Sequence, residues 1–158
     1  MDAKQLKQLV IGPTLKTIGL YSEAADQLIL GTIFQESRAK YLKQLGSGPA
    51  LGVIQMEPNT YNDIWDNYLK YKPELAAKIT HLASVGSLGP DGRPDVNELV
   101  TNLAFAVGMC RVHYLRVKEK LPAADDVAAL GRYWKQYYNT ALGAGTVDEF
   151  VAHFPELT

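Results

Sequence analysis

Helix-starting residues recur along the whole of this chain, whereas the alternating apolar and polar pattern of half-buried strands is nearly absent. Ser22 precedes a helix predicted from Glu23 to about Ala39, where its hydroxyl can accept a free N–H of the first turn. Pro58 and Pro73 fit the first turns of helices running to about Lys70 and Ala83. Asp95 and Glu98 have capping-box-like spacing at the head of a long helix, on which Leu99, Leu103, Ala106, Cys110 and Val117 fall close to one stripe. A further helix is expected from about Asp126 to Asn139, and Thr146 with Glu149 caps a short final one ending before Pro155. Residues 2–10 and 13–20 read as one broken helix or two short ones, divided at Gly12-Pro13. Helical period is lost from Leu45 to Gly52, after which Val53 to Met56 reads as a short strand or hairpin arm. The stretch VGSLGPDGRPD is a connection too short for a domain linker. The fold class expected is mainly α, with one small β-hairpin.

Composition narrows the function classes. A chain of 158 residues with 47% hydrophobic content supplies one sizeable core, so residues 1–158 read as a single domain. A net charge of −1 leaves no basic excess to hold a phosphate backbone, which argues against nucleic acid as principal partner. One cysteine, Cys110, permits neither an internal disulfide nor a Cys-based zinc cluster, and its apolar neighbours mark it as a small buried hydrophobe. Lys4, Lys7, Pro13 and Lys16 interrupt the first twenty residues, so no signal peptide is expected, and no apolar run approaches membrane-spanning length. His81, His113 and His153 share no metal-ligand spacing, and Asp91-Gly92 with Asn97 lacks that of an EF-hand. Neither a metal nor a cofactor is expected.

One residue breaks the helical pattern. On the helix after Ser22, Ala25, Leu28, Ile29 and Ile33 form an apolar stripe, and at 100° per residue Glu36 lands in its middle. A carboxyl group pointing inward is desolvated and its pKa rises, as a general acid working near neutral pH requires. The structural alternative is an acid that reaches solvent or pairs with Arg38 or Lys40.

Glu36-Ser37 is followed by a Gly-rich segment and then by Gly52-Val53-Ile54-Gln55-Met56-Glu57-Pro58-Asn59-Thr60. This run resembles the G-x-x-Q-x-x-P-x-T signature of lytic transglycosylases and goose-type lysozymes. The resemblance implies a lysozyme-like domain in which the Glu of a Glu-Ser pair ends a helix, a small β-hairpin crosses the cleft and the Gln lines a sugar-binding groove. Glu36 would then be the acid, Ser37 its polar neighbour and Gln55 a substrate contact. Tyr138-Asn139 resembles the family's Ala-Tyr-Asn-Ala-Gly segment, with Tyr137 replacing the alanine and three residues separating Asn139 from Gly143. Either Tyr137 or Tyr138 is left to face Glu36. The resemblance covers residues 31–65 and, in part, 130–145.

The implied substrate is the β-1,4 bond between N-acetylmuramic acid and N-acetylglucosamine in peptidoglycan glycan strands. Glu57, Asp63 and Asp66 are the local candidates for a second carboxylate, but helix periodicity puts none of them opposite Glu36. That favours transglycosylation through one carboxyl group over hydrolysis. A hydrolytic lysozyme and a non-catalytic phage structural protein of lysozyme-like fold are the alternatives. Tyr41, Tyr61 and Trp65 are candidates for stacking on sugar rings, although packing is the commoner role of such a pair as Tyr61 and Trp65. With no export signal expected, the delivery routes are a phage virion, with tail or baseplate proteins as partners, or release from the host cytoplasm to the periplasm or cell wall; a bacterial fragment separated from its export signal is the further alternative.

Overall fold

The computed structural model describes residues 1–139 and 143–157. It is mainly α-helical. The chain opens with α1 (Ala3–Leu6), passes through a π-helical turn at Lys7–Ile11 and continues into α2 (Gly12–Thr17). Gly12-Pro13 therefore does not divide the segment. In the wider turn the Gly12 N–H reaches the Lys7 carbonyl, and the ring of Pro13 is accommodated without ending the helix.

Helix α3 (Glu23–Ser37) is capped as its sequence requires, with Ser22 Oγ accepting from Ala25 N at 3.0 Å. Its burial is not confined to one stripe. Ala25, Leu28, Ile29, Leu30, Gly31, Thr32 and Ile33 are all buried, because α7, α8 and α9 with the N-terminal π turn enclose the helix from several sides. A helix surrounded in this way loses its polar face along its middle turns and meets solvent only near its ends.

Helices α4 (Pro58–Asn67) and α5 (Pro73–Leu82) begin at their prolines, with a 3₁₀ turn at Leu69–Tyr71 between them. The long helix expected from Asp95 is instead broken into α6 (Glu98–Thr101) and α7 (Leu103–Leu115). Asn102 adopts an extended conformation, caps α7 by accepting from Phe105 N at 3.0 Å, and donates to Leu82 O and Glu98 Oε1. Glu98 closes no capping box with Asp95; its Oε1 also takes the N–H and hydroxyl of Ser84. The buried carboxylate is thus satisfied from another loop, and the helix breaks so that Asn102 can take part.

After α8 (Val127–Trp134), capped by Asp126, the helix widens into a second π segment at Lys135–Asn139. The chain finishes with α9 (Val147–His153), capped by Thr146 Oγ1. Phe150 of α9 packs directly onto the backbone of Gly31 on α3, where an added Cβ would lie 2.3 Å from the ring. Cys110 is fully buried in α7.

The expected β-hairpin is absent. The described residues contain no strand, and residues 43–56 make only isolated antiparallel bridges, Lys43 with Leu51 and Leu51 with Met56. The backbone explains this: Gly52 and Gln55 both have positive φ, +76° and +50°, so the chain folds tightly between Leu51 and Met56 and cannot extend into paired strands.

Candidate active site

The last turn of α3 carries Glu36 and Ser37, and the helix stops without a glycine. Arg38 and Ala39 both take left-handed conformations, at φ 56° and 53°. With Gln55 they are the non-glycine residues of positive φ among the described residues, and all three lie in the segments that flank Glu36 or form the cleft wall. Such backbone costs roughly 1–2 kcal/mol per residue and persists where surrounding contacts enforce it. Ser37 supplies one such contact. Its hydroxyl donates to the carbonyls of Val53 at 2.6 Å and Ile33 at 3.1 Å, pinning the end of α3 to the Gly52–Met56 turn.

Gly52 allows that turn to seat against α6, since an added Cβ would lie 2.3 Å from the Leu99 carbonyl oxygen. Leu51 and Met56 exchange backbone hydrogen bonds of 2.9 and 3.0 Å, closing the loop that presents Gln55. Gln55 Nε2 donates to Gly52 O at 2.9 Å, which holds the amide in place and leaves its oxygen to accept from a ligand. Tyr138 fixes the same turn from the opposite side, its hydroxyl donating to Ile54 O at 2.6 Å.

These elements enclose a cavity of about 600 Å³ whose wall includes Glu36, Gln44, Gln55, Glu57, Tyr138 and Asn139. Of the residues singled out by sequence, Glu36, Gln55, Tyr138 and Asn139 therefore come together at one site, joined by Glu57, one of the three candidates for a second carboxylate. Ser37 does not join them: it is 2% exposed and acts as a buried anchor. Tyr138, rather than Tyr137, is the tyrosine on the cavity wall; Tyr137 stands edge-on to Tyr133 at 4.7 Å. The Tyr138 hydroxyl orients the Ile54 carbonyl, not Glu36. Asn139 Oδ1 accepts from Lys135 Nζ at 2.7 Å, and the same ammonium group donates to Gly143 O at 2.9 Å. Lys135 thereby ties together the two described ends of this segment.

Glu36 pairs with neither Arg38 nor Lys40. Its Oε2 accepts from the indole Nε1–H of Trp134 at 2.9 Å. Burial pushes the carboxyl pKa up to about 7, and the Trp134 hydrogen bond opposes that rise only in part. The group is thus poised between acid and base near neutrality.

Sequence reasoning missed Trp134 and His113. Trp134 stands one helical turn before Tyr138, so the i, i+4 relation was a signal that both side chains share a face. His113 of α7 forms part of the cavity wall, stacked on Tyr138 with centroids 4.5 Å apart. Burial, reinforced by the positive charge of Arg116, pulls its pKa down to about 4, so the imidazole is neutral where Glu36 titrates.

The other sequence candidates fall outside this wall. Tyr61 and Trp65 are core residues, 1% and 7% exposed, with the Tyr61 hydroxyl bonded to Pro94 O. Tyr41 is half-buried and lies under the Lys40 ammonium group. Asp63 and Asp66 are engaged by Arg116 and Arg93. Among the described residues, no group of three His, Cys, Asp or Glu side chains converges as a metal site, and no helix is long and apolar enough to cross a membrane. A larger concavity of about 880 Å³ lies elsewhere on the surface, beside Trp65, Leu69 and Val85. No family model, curated protein or solved structure matches the chain in sequence or fold comparison.

Proposed function

We propose that the protein is a lytic transglycosylase of lysozyme-like fold, cleaving the β-1,4 bond between N-acetylmuramic acid and N-acetylglucosamine in peptidoglycan. The observation that carries this reading is the convergence of Glu36, Gln55, Tyr138 and Asn139, drawn from distant parts of the chain, on one cavity. In the first step Glu36 gives its proton to the departing glycosidic oxygen as the C1–O bond breaks, and the substrate's N-acetyl group assists at the anomeric carbon. In the second, the C6 hydroxyl of the same sugar attacks C1 and returns its proton to the carboxylate. No water is consumed, and the enzyme recovers its starting protonation state. Gln55 and Asn139 offer amide groups to N-acetyl and hydroxyl substituents. Delivery by a phage particle, with tail or baseplate proteins as partners, fits a wall-directed enzyme whose near-zero net charge supplies little long-range attraction to an anionic wall.

Hydrolysis is the second reading, because Glu57 also lines the cavity and is the one remaining local carboxylate able to activate water there. Among the described residues no side-chain hydrogen bond orients it, unlike Glu36, and this favours the single-carboxyl mechanism. The test is a zymogram on purified peptidoglycan with wild type and Glu36→Gln. Clearing by wild type and none by the folded variant is expected; equal clearing removes Glu36 from the chemistry.

A further inference from the structure

We propose that Trp134 is a positioning residue that confines the transferable proton of Glu36 to one carboxyl oxygen, Oε1. The inference rests on the reading of Glu36 as the acid, and its geometry is local to the two side chains. An indole N–H is a donor with no accepting capacity. The oxygen that faces it at 2.9 Å, Oε2, must therefore present a lone pair, since a hydroxyl hydrogen directed at the indole would set two donors against each other. A carboxyl hydroxyl oxygen is also a far poorer acceptor than the carbonyl oxygen, so in the neutral acid the hydrogen is carried by Oε1. That oxygen has no partner among the described residues, and the Glu36 side chain that carries it lines the cavity.

Trp134 is held rigidly enough to impose this choice. It is fully buried, its ring is tilted 30° against Phe150 with centroids 5.6 Å apart, and it is the last residue of α8 before the π segment. Once the proton has left, the same N–H remains bonded to an anionic oxygen, where the bond is stronger. Trp134 thus supports the carboxylate between the two proton transfers while leaving Oε1 free to give and retake the proton.

The experiment replaces Trp134 by benzothienylalanine, which keeps the fused-ring shape and puts sulfur in place of the N–H. The Glu36 carboxyl ¹³C resonance, assigned by its loss in Glu36→Gln, is then titrated in the free protein, and Trp134→Phe is run beside it. The wild-type midpoint is expected near 7. Loss of the donor should raise it by about one pH unit, because desolvation is then unopposed. In wild type the indole N–H resonance should titrate with the same midpoint. On peptidoglycan the variant should lose kcat with little change in KM, and its alkaline limb should move upward. An unchanged carboxyl midpoint in the folded variant overturns the proposal, as does a wild-type indole resonance insensitive to Glu36 ionisation. Neither titration needs substrate, so a wild type that titrates as described yet leaves peptidoglycan intact would refute the proposed function and leave the proton placement standing.

Discussion

Replacing Glu36 by Gln should stabilise the folded protein above neutral pH while leaving it little changed in acid. In the unfolded chain the carboxyl group titrates near 4.5, whereas burial beside Trp134 holds it at about 7 when folded. Below both values the acid is neutral in either state and costs nothing. As pH rises from 4.5 to 7 the unfolded chain releases a proton that the folded protein retains, so folding loses stability across that window and levels off above it. At 1.36 kcal/mol per pH unit the penalty reaches about 3 kcal/mol, an order-of-magnitude figure for a half-buried group. The neutral amide has no such penalty and can still accept from Trp134 through its oxygen. Thermal melts of both proteins at pH 4 and pH 8 are the assay. The gap between them should widen by roughly 6–12 °C at the higher pH, since 1 kcal/mol moves Tm by about 2–4 °C in a domain of this size. A gap that is the same at both pH values would refute the claim that Glu36 is a desolvated acid.

Other substitutions test the framework around the carboxyl group. Gly52→Ala drives a Cβ onto the Leu99 carbonyl in a backbone conformation of positive φ, and should cost about 3 kcal/mol, read by denaturant unfolding, together with glycan binding. Tyr138→Phe leaves the Ile54 carbonyl without its donor; stability should fall by about 1–2 kcal/mol and turnover with it, whereas Tyr137→Phe should leave turnover unchanged. Gln55→Ala should raise KM for soluble glycan fragments more than it lowers kcat, because it removes a binding amide and spares the proton donor.

Local signals made much of the helical architecture legible. Ser22, Pro58, Pro73, Asp126 and Thr146 each mark a helix start that the structure contains, because capping and proline geometry act within one turn. Long-range contacts made the rest illegible. Nothing near Asn102 in sequence indicates that its amide is needed by Leu82 and Glu98, and so the break between α6 and α7 has no local signal. Helix α3 ends two residues before its sequence predicts, because Arg38 and Ala39 adopt left-handed backbone without the glycine that usually signals it. Glu36 is legible because it interrupts the apolar stripe of its helix, and Gln55, Tyr138 and Asn139 are implied by the resemblance, but the anchoring role of Ser37 depends on Val53, and the partner of Glu36 lies 98 residues away on α8.

Product identity tests the central claim most directly. Peptidoglycan digested with the wild-type protein should release muropeptides ending in 1,6-anhydro-N-acetylmuramic acid, lighter by one water than hydrolysis products and inert to borohydride, and Glu36→Gln should release none. Reducible, fully hydrated termini would contradict the single-carboxyl mechanism and direct attention to Glu57; no product from folded wild type on several wall types would contradict the assignment of this cavity to glycan cleavage.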